Sequence, residues 1–178
     1  LNQGGFKRDR IKELAKEFVE IGVKAVVLIG GGEPMAHPEF GTLVDYFYEN
    51  DIHVGVTSNG TLIDKYANSL ANHTKWVRIS VDAGSEEVFQ QYRPHASGKS
   101  QFNKVIDGMK ILSKSRKTKL GFSFLVLEKV GADKKYNEKG QNFVETNATD
   151  IFKAAKLAKE IGCDYFEVKP SFDPFHFL

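Results

Sequence analysis

Five short runs rich in β-branched and aliphatic residues, at 25–29, 53–57, 76–81, 120–127 and 165–168, are separated by stretches long enough to hold a helix. No two of them lie close enough for a hairpin, and strands joined only by long crossovers pair in parallel. Between the runs, apolar residues recur at helical spacing: Ile11, Leu14, Ala15 and Phe18; Phe40, Leu43, Val44 and Phe47; Phe102, Val105, Ile106, Met109 and Leu112; Ile151, Ala154, Ala155, Ala158 and Ile161. Shorter helices are expected around Tyr66 and Leu70, with Asp64 as cap, and from Ser85 to about Gln91. This alternation predicts an α/β fold on a parallel sheet. The uninterrupted aliphatic run at 25–29 predicts a strand covered on both faces. A faint echo joins Leu14-Ala15-Lys16-Glu17 through Ile21-Gly22 to Leu157-Ala158-Lys159-Glu160 through Ile161-Gly162, each leading into a strand. The stretch 131–146, rich in Lys, Asn and Gly, is expected to be a long loop.

A chain of 178 residues suits one domain, and 25 Lys+Arg against 23 Asp+Glu give a formal charge of +2, no electrostatic case for nucleic acid or an anionic membrane. One cysteine excludes an internal disulfide and a cysteine-rich metal knuckle. Neither a membrane-length apolar stretch nor a secretory leader is present, so a cytoplasmic location is expected.

In parallel α/β folds the chemistry gathers at the carboxyl ends of the strands, where the loops converge. The first strand runs into Gly30-Gly31-Gly32-Glu33-Pro34. Side-chain-free backbone beside one carboxylate suits a ligand carrying an ammonium group; no P-loop spacing is present. The same triplet also reads as a plain tight turn. The second strand ends Thr57-Ser58-Asn59-Gly60, where strand period puts Thr57 and Asn59 on one side, and Asn59-Gly60 also reads as a turn. The third ends Arg78-Ile79-Ser80-Val81-Asp82, which puts Arg78, Ser80 and Asp82 on one face; Ser80 and Asp82 suit a ribose diol or, alternatively, a cap on the next helix.

These motifs, in this order and with Pro38-Glu39-Phe40 and Arg93 at matching places, resemble the core of the radical S-adenosylmethionine (SAM) enzymes over essentially the whole chain. The resemblance implies a partial TIM-like (β/α)6 barrel, with five parallel strands in this chain and the first strand missing. It also implies a [4Fe-4S] cluster held by three closely spaced cysteines, reductive cleavage of SAM, and a 5′-deoxyadenosyl radical that abstracts hydrogen from substrate. By the same resemblance, Gly30, Gly31, Gly32 and Glu33 would bind the methionine amino group, and Ser80 and Asp82 the ribose. Asn59 would meet the cofactor or the adjacent wall, Arg93 the methionine carboxylate, and Asn147 the adenosyl group unless it caps a helix. An electron donor such as flavodoxin or ferredoxin is implied, with a peptide, nucleoside or sugar as substrate.

The chain departs from the pattern at the cluster. Its one cysteine, Cys163, precedes the last strand, at the opposite mouth from the other motifs, and reads as a packing residue. The first strand and the cysteine loop are therefore expected before Leu1, the whole of 1–178 being one core domain truncated there and beyond Leu178, and inactive as it stands. A cluster-less barrel that only binds SAM or a partner is the alternative. A phosphate-binding TIM barrel is disfavoured by length. Glu167 and Lys169, on one face at the end of the last strand, are substrate-contact candidates or a local ion pair. His37 reads as a helix-start residue, the basic run 114–119 as a solvated loop, and Phe172, Phe175, His176 and Phe177 as a surface for a further part of the protein.

Overall fold

A computed structural model describes residues 7–114, 117–127, 135–136, 142–143 and 146–170. Helix and strand alternate as the apolar periodicity requires: α1 (Arg8–Glu20), β1 (Ala25–Leu28), α2 (Phe40–Glu49), β2 (His53–Ser58), α3 (Ile63–His73), β3 (Trp76–Ser80), α4 (Glu86–Tyr92), α5 (Phe102–Ser113) and β4 (Lys119–Val126). After a two-stranded antiparallel pair, β5 (Lys135–Tyr136) and β6 (Asn142–Phe143), come α6 (Ile151–Ile161) and β7 (Tyr165–Pro170). The stretch expected to be an unbroken loop thus carries two short strands, and its other residues up to 145 lie outside the described ones, as do 115, 116 and the four aromatic-rich positions after 170. No described helix is long and apolar enough to cross a membrane.

Strands β1, β2, β3, β4 and β7 form one parallel sheet in that order. It is an α/β fold whose barrel is not closed. One face is greasy: Val54, Val56, Val77, Ile79, Leu120, Phe122 and Phe124 join Val44, Phe47, Leu70, Met109 and Leu112 of the helices in the core. Each such fully buried side chain contributes about 1.5–3 kcal/mol of transfer free energy. The alternate positions line the concave face. There Thr57, Arg78, Gly121 and Tyr165 stand in one row across the strands, and Ser80, Ser123 and Glu167 in the next.

The run at 25–29 is not covered on both faces. Val27 and Ile29 are 54% and 59% exposed, because β1 is an edge strand and α1 and α2 pack on one of its sides only. Asp64 does not cap α3: that position is Leu62, and Asp64 lies in the first turn, where a carboxylate still favours the helix dipole.

Candidate functional site

Residues 30–33 leave β1 at its carboxyl end and border a cavity of about 960 Å³ together with Val27, Ile29 and Phe40. Gly30, Gly31 and Gly32 are exposed, and a Cβ on Gly31 or Gly32 would meet nothing within 4 Å, so their backbone edges are open to a ligand. Glu33 then turns inward. Its Oε1 accepts from the Met35 N–H at 3.0 Å and from Ser58 Oγ at 2.8 Å, and its Oε2 accepts from the Asn59 N–H at 2.8 Å. One carboxylate thereby ties the glycine turn to the end of β2. An ionised carboxylate has roughly four acceptor positions. The three that are used orient the group and leave capacity for one more donor.

At the end of β2 the strand period holds: Thr57 stands on the face of Arg78 and Ser58 on the buried face. Ser58, not Thr57 or Asn59, reaches Glu33, and its Oγ also accepts from the Gly60 N–H at 2.9 Å. Asn59 Oδ1 accepts from the Thr61 N–H at 2.9 Å and from Thr61 Oγ1 at 2.8 Å, an Asx turn. Its contribution to the loop junction is made by its backbone.

The third strand ends at Ser80, which stays half-buried on the concave face, and the period breaks before Asp82. Asp82 adopts a left-handed backbone conformation, φ 59°, which short polar side chains tolerate better than branched ones. Its side chain is wholly buried. Oδ1 accepts from the Leu125 N–H at 2.7 Å, and Oδ2 accepts from Arg93 Nε at 2.6 Å and from a second nitrogen of the same guanidinium. Asp82 and Arg93 are therefore partners of each other. Neither Ser80 nor Asp82 caps the following helix, whose N-cap position is Ser85.

Asn147 is 1% exposed and acts as a clip. Its Nδ2 donates to the carbonyls of Asp82 and Leu125 at 2.8 and 2.9 Å, while its Oδ1 accepts from the Leu127 N–H at 2.7 Å. Thr146, rather than Asn147, caps the short 3-10 turn that follows, Asn147–Asp150. Asp150, also buried, accepts from the Gly84 N–H at 2.6 Å. The loops after β3 and β4 are thus fastened to each other through buried polar groups, each with its hydrogen bonds made. Nothing in the spacing of Asn147 or Asp150 announces this, because their partners are backbone groups more than 19 positions away.

Lower on the concave face, Glu167 Oε2 receives Arg78 Nη1 at 3.3 Å and Lys169 Nζ at 3.0 Å, so the expected Glu167–Lys169 pair forms and gains Arg78. Arg78 also donates to Thr57 Oγ1 at 3.1 Å and sits 5.7 Å from the centre of the Trp76 ring. Trp76 lies across Gly55 and Tyr165 across Gly121; a Cβ on either glycine would collide with the ring. Burial pushes the Tyr165 phenol above its ordinary pKa, against the pull of Arg78.

Cys163 precedes β7 at the other end of the sheet. Burial, with Asp164 adding to it, pushes its thiol up to about 12, the opposite of what a metal ligand needs. No three His, Cys, Asp or Glu side chains among the described residues gather as a metal site. With a single cysteine in the chain and no such cluster among the described residues, the described residues do not fit an iron–sulfur cluster. The glycine edge and Glu33 do fit an amino acid ammonium.

The sequence profile of the radical SAM superfamily matches residues 6–130. Among curated proteins, the chain is 23% identical over 167 residues to the AdoMet-dependent heme synthase of Methanosarcina barkeri, covering 93% of this chain and 42% of that protein. It is 28% identical over 120 residues to a probable GTP 3′,8-cyclase of Archaeoglobus fulgidus, covering 67% and 38% respectively. The chain thus spans less than half the length of these relatives. The solved structure of native anSMEcpe with bound AdoMet and Kp18Cys peptide superposes with a TM-score of 0.70 at 19% identity, covering 97% of this chain and 45% of that one.

Proposed function

Because the chain belongs to the radical SAM superfamily, we propose that it is the SAM-binding core of an enzyme performing SAM-dependent radical chemistry. The observation that supports this most is the Glu33 carboxylate, oriented by Met35, Ser58 and Asn59 beside an exposed run of three glycines. In this reading the glycine backbone carbonyls and Glu33 accept from the methionine ammonium, a charge-assisted interaction. Arg93 spends Nε and one terminal nitrogen on Asp82. Its remaining donors are the group that meets the methionine carboxylate. Ser80 serves the ribose, and Asn59 closes the wall beside it. Asp82, with both oxygens accepting from the protein and no exposed surface, is a positioning residue that holds Arg93 and the β4 end.

The [4Fe-4S] cluster of the family, which supplies the electron that cleaves SAM, would be carried on cysteines outside these 178 residues. A flavodoxin- or ferredoxin-type donor would reduce it, and the substrate would be a peptide, nucleoside or sugar entering at Glu167 and Lys169. The test is calorimetric titration of the chain with SAM. Saturable binding that falls at least about tenfold on Glu33→Ala supports the assignment; binding unchanged by that substitution overturns it. In the full-length protein, reduction should release 5′-deoxyadenosine. SAM binding with no 5′-deoxyadenosine under reducing, anaerobic conditions would favour a binding-only barrel.

A further inference from the structure

Among its described residues, the concave face carries more positive charge than it neutralises. Arg78 and Lys169 share one oxygen of one carboxylate, Glu167, and their side chains are 22% and 40% exposed, so both are within reach of a ligand. The other described carboxylates of the neighbourhood are engaged elsewhere: Asp82 with Arg93, Asp164 with Lys119, and Glu33 with the loop junction. Two cations against one anion among these residues leave a surplus of one positive charge.

The surplus sits in a built setting. Arg78 is held from three sides by Thr57, Glu167 and the Trp76 ring, so its planar donor fork is pre-oriented. Trp76 and Tyr165 flank it on the same face of the sheet. They lie flat because Gly55 and Gly121 have no side chain to lift them, and a cavity of about 590 Å³ opens beside Arg78 and Glu167, with Lys169 outside its lining. An uncompensated cation on a partly desolvated surface is costly, and an oxyanion relieves that cost.

We infer that the concave face anchors an anionic group of the substrate, a carboxylate or a phosphate, on Arg78 and Lys169, with Glu167 as the counter-charge that keeps the two cations together. This rests on the SAM-binding reading of the glycine edge and narrows the substrate class to anions. Ser123 Oγ donates to the same Glu167 oxygen at 3.5 Å and helps to hold that carboxylate in place.

Trp76 is the single tryptophan of the chain and borders the cluster, so its fluorescence reports occupancy without any catalytic turnover. Titrations with inorganic phosphate and with acetate, at ionic strength held constant with chloride, should give a saturable change for at least one of them. The stronger of the two identifies the anion. Lys169→Gln should weaken that response about fivefold and Glu167→Gln should strengthen it about fivefold, since one removes a cation and the other frees two. Far-UV circular dichroism checks that both variants are folded. The absence of a saturable response to either anion in the unaltered chain overturns the inference. So does Glu167→Gln binding no more tightly than the parent.

Saturating SAM should leave the anion affinity unchanged. One-for-one competition would make the cluster the seat of the cofactor's own carboxylate and overturn the substrate assignment. The cofactor reading fails separately, on calorimetry with SAM alone.

Discussion

The Asp82 carboxylate takes both Nε, at 2.6 Å, and a terminal nitrogen of Arg93 on a single oxygen, with the aspartate side chain 1% and the arginine 30% exposed. Its other oxygen holds the Leu125 N–H. The pair therefore bolts the C-terminal end of α4 and the exit of β4 to the turn after β3.

Removing Asp82 leaves the partly exposed Arg93 without its partner and the Leu125 N–H without its acceptor. Asp82→Ala should cost about 2–3 kcal/mol in urea denaturation. Asp82→Asn should cost distinctly less, because the amide keeps an acceptor for Leu125 and tolerates the left-handed backbone. Equal losses for the two would mean that the charge, rather than the acceptor and the backbone conformation, decides the stability of this turn.

Glu33→Gln puts an NH₂ where a carboxylate oxygen accepts from Met35 and Ser58 or from Asn59. Two donors then face each other, at about 1–3 kcal/mol. Thermal unfolding should shift down while SAM affinity drops. Ser58→Ala, which removes one of the three bonds to Glu33 and the acceptor of the Gly60 N–H but leaves the charge, should lower stability by about 1–3 kcal/mol with SAM affinity nearly intact.

Gly55→Ala and Gly121→Ala force Trp76 and Tyr165 off the sheet. Each should destabilise by about 1–3 kcal/mol, as overpacking does. Only Gly55→Ala should change tryptophan emission strongly, and that difference checks the packing ring by ring.

Cys163 titrates at about 12 in the folded chain, against 9.0 for the free thiol. Folding favours the protonated form, so this contribution to stability is complete below about pH 9 and is lost as pH rises toward 12. A disulfide reagent at pH 8 should react at least about tenfold faster with the chain in urea than with the folded chain. Equal rates would show that the thiol is solvated in the fold.

Legibility from sequence followed the range of the interactions. The strand–helix alternation was readable because it depends on periodicity within a dozen residues, and even the faint echo has a shared conformation behind it. Gly22 and Gly162 are both left-handed, φ 76° and 88°, each stopping a helix before a strand. The glycine edge and the Glu167–Lys169 pair were readable as local motifs. Strand period sets Ser58 opposite Thr57 but does not tell which loop it meets, and it cannot place Asp82, which lies beyond the end of β3 in a left-handed turn. The double burial expected for β1 failed because a run of aliphatic residues cannot report whether its strand lies at an edge.

What the amino-acid sequence determined by itself was the class of the fold and the identity of the chemistry-bearing loops: parallel α/β, three glycines and a carboxylate after one strand, polar ends on the next two. These are consequences of short-range sterics and apolar spacing. Only the tertiary structure decided who bonds to whom. It gave Glu33 to Ser58 and Asn59, Asp82 to Arg93, Asn147 to three backbone groups, and Arg78 to Glu167 across 89 positions. Charges and donors in a buried site must be paired, but which partners are close enough is set by the order and register of the strands.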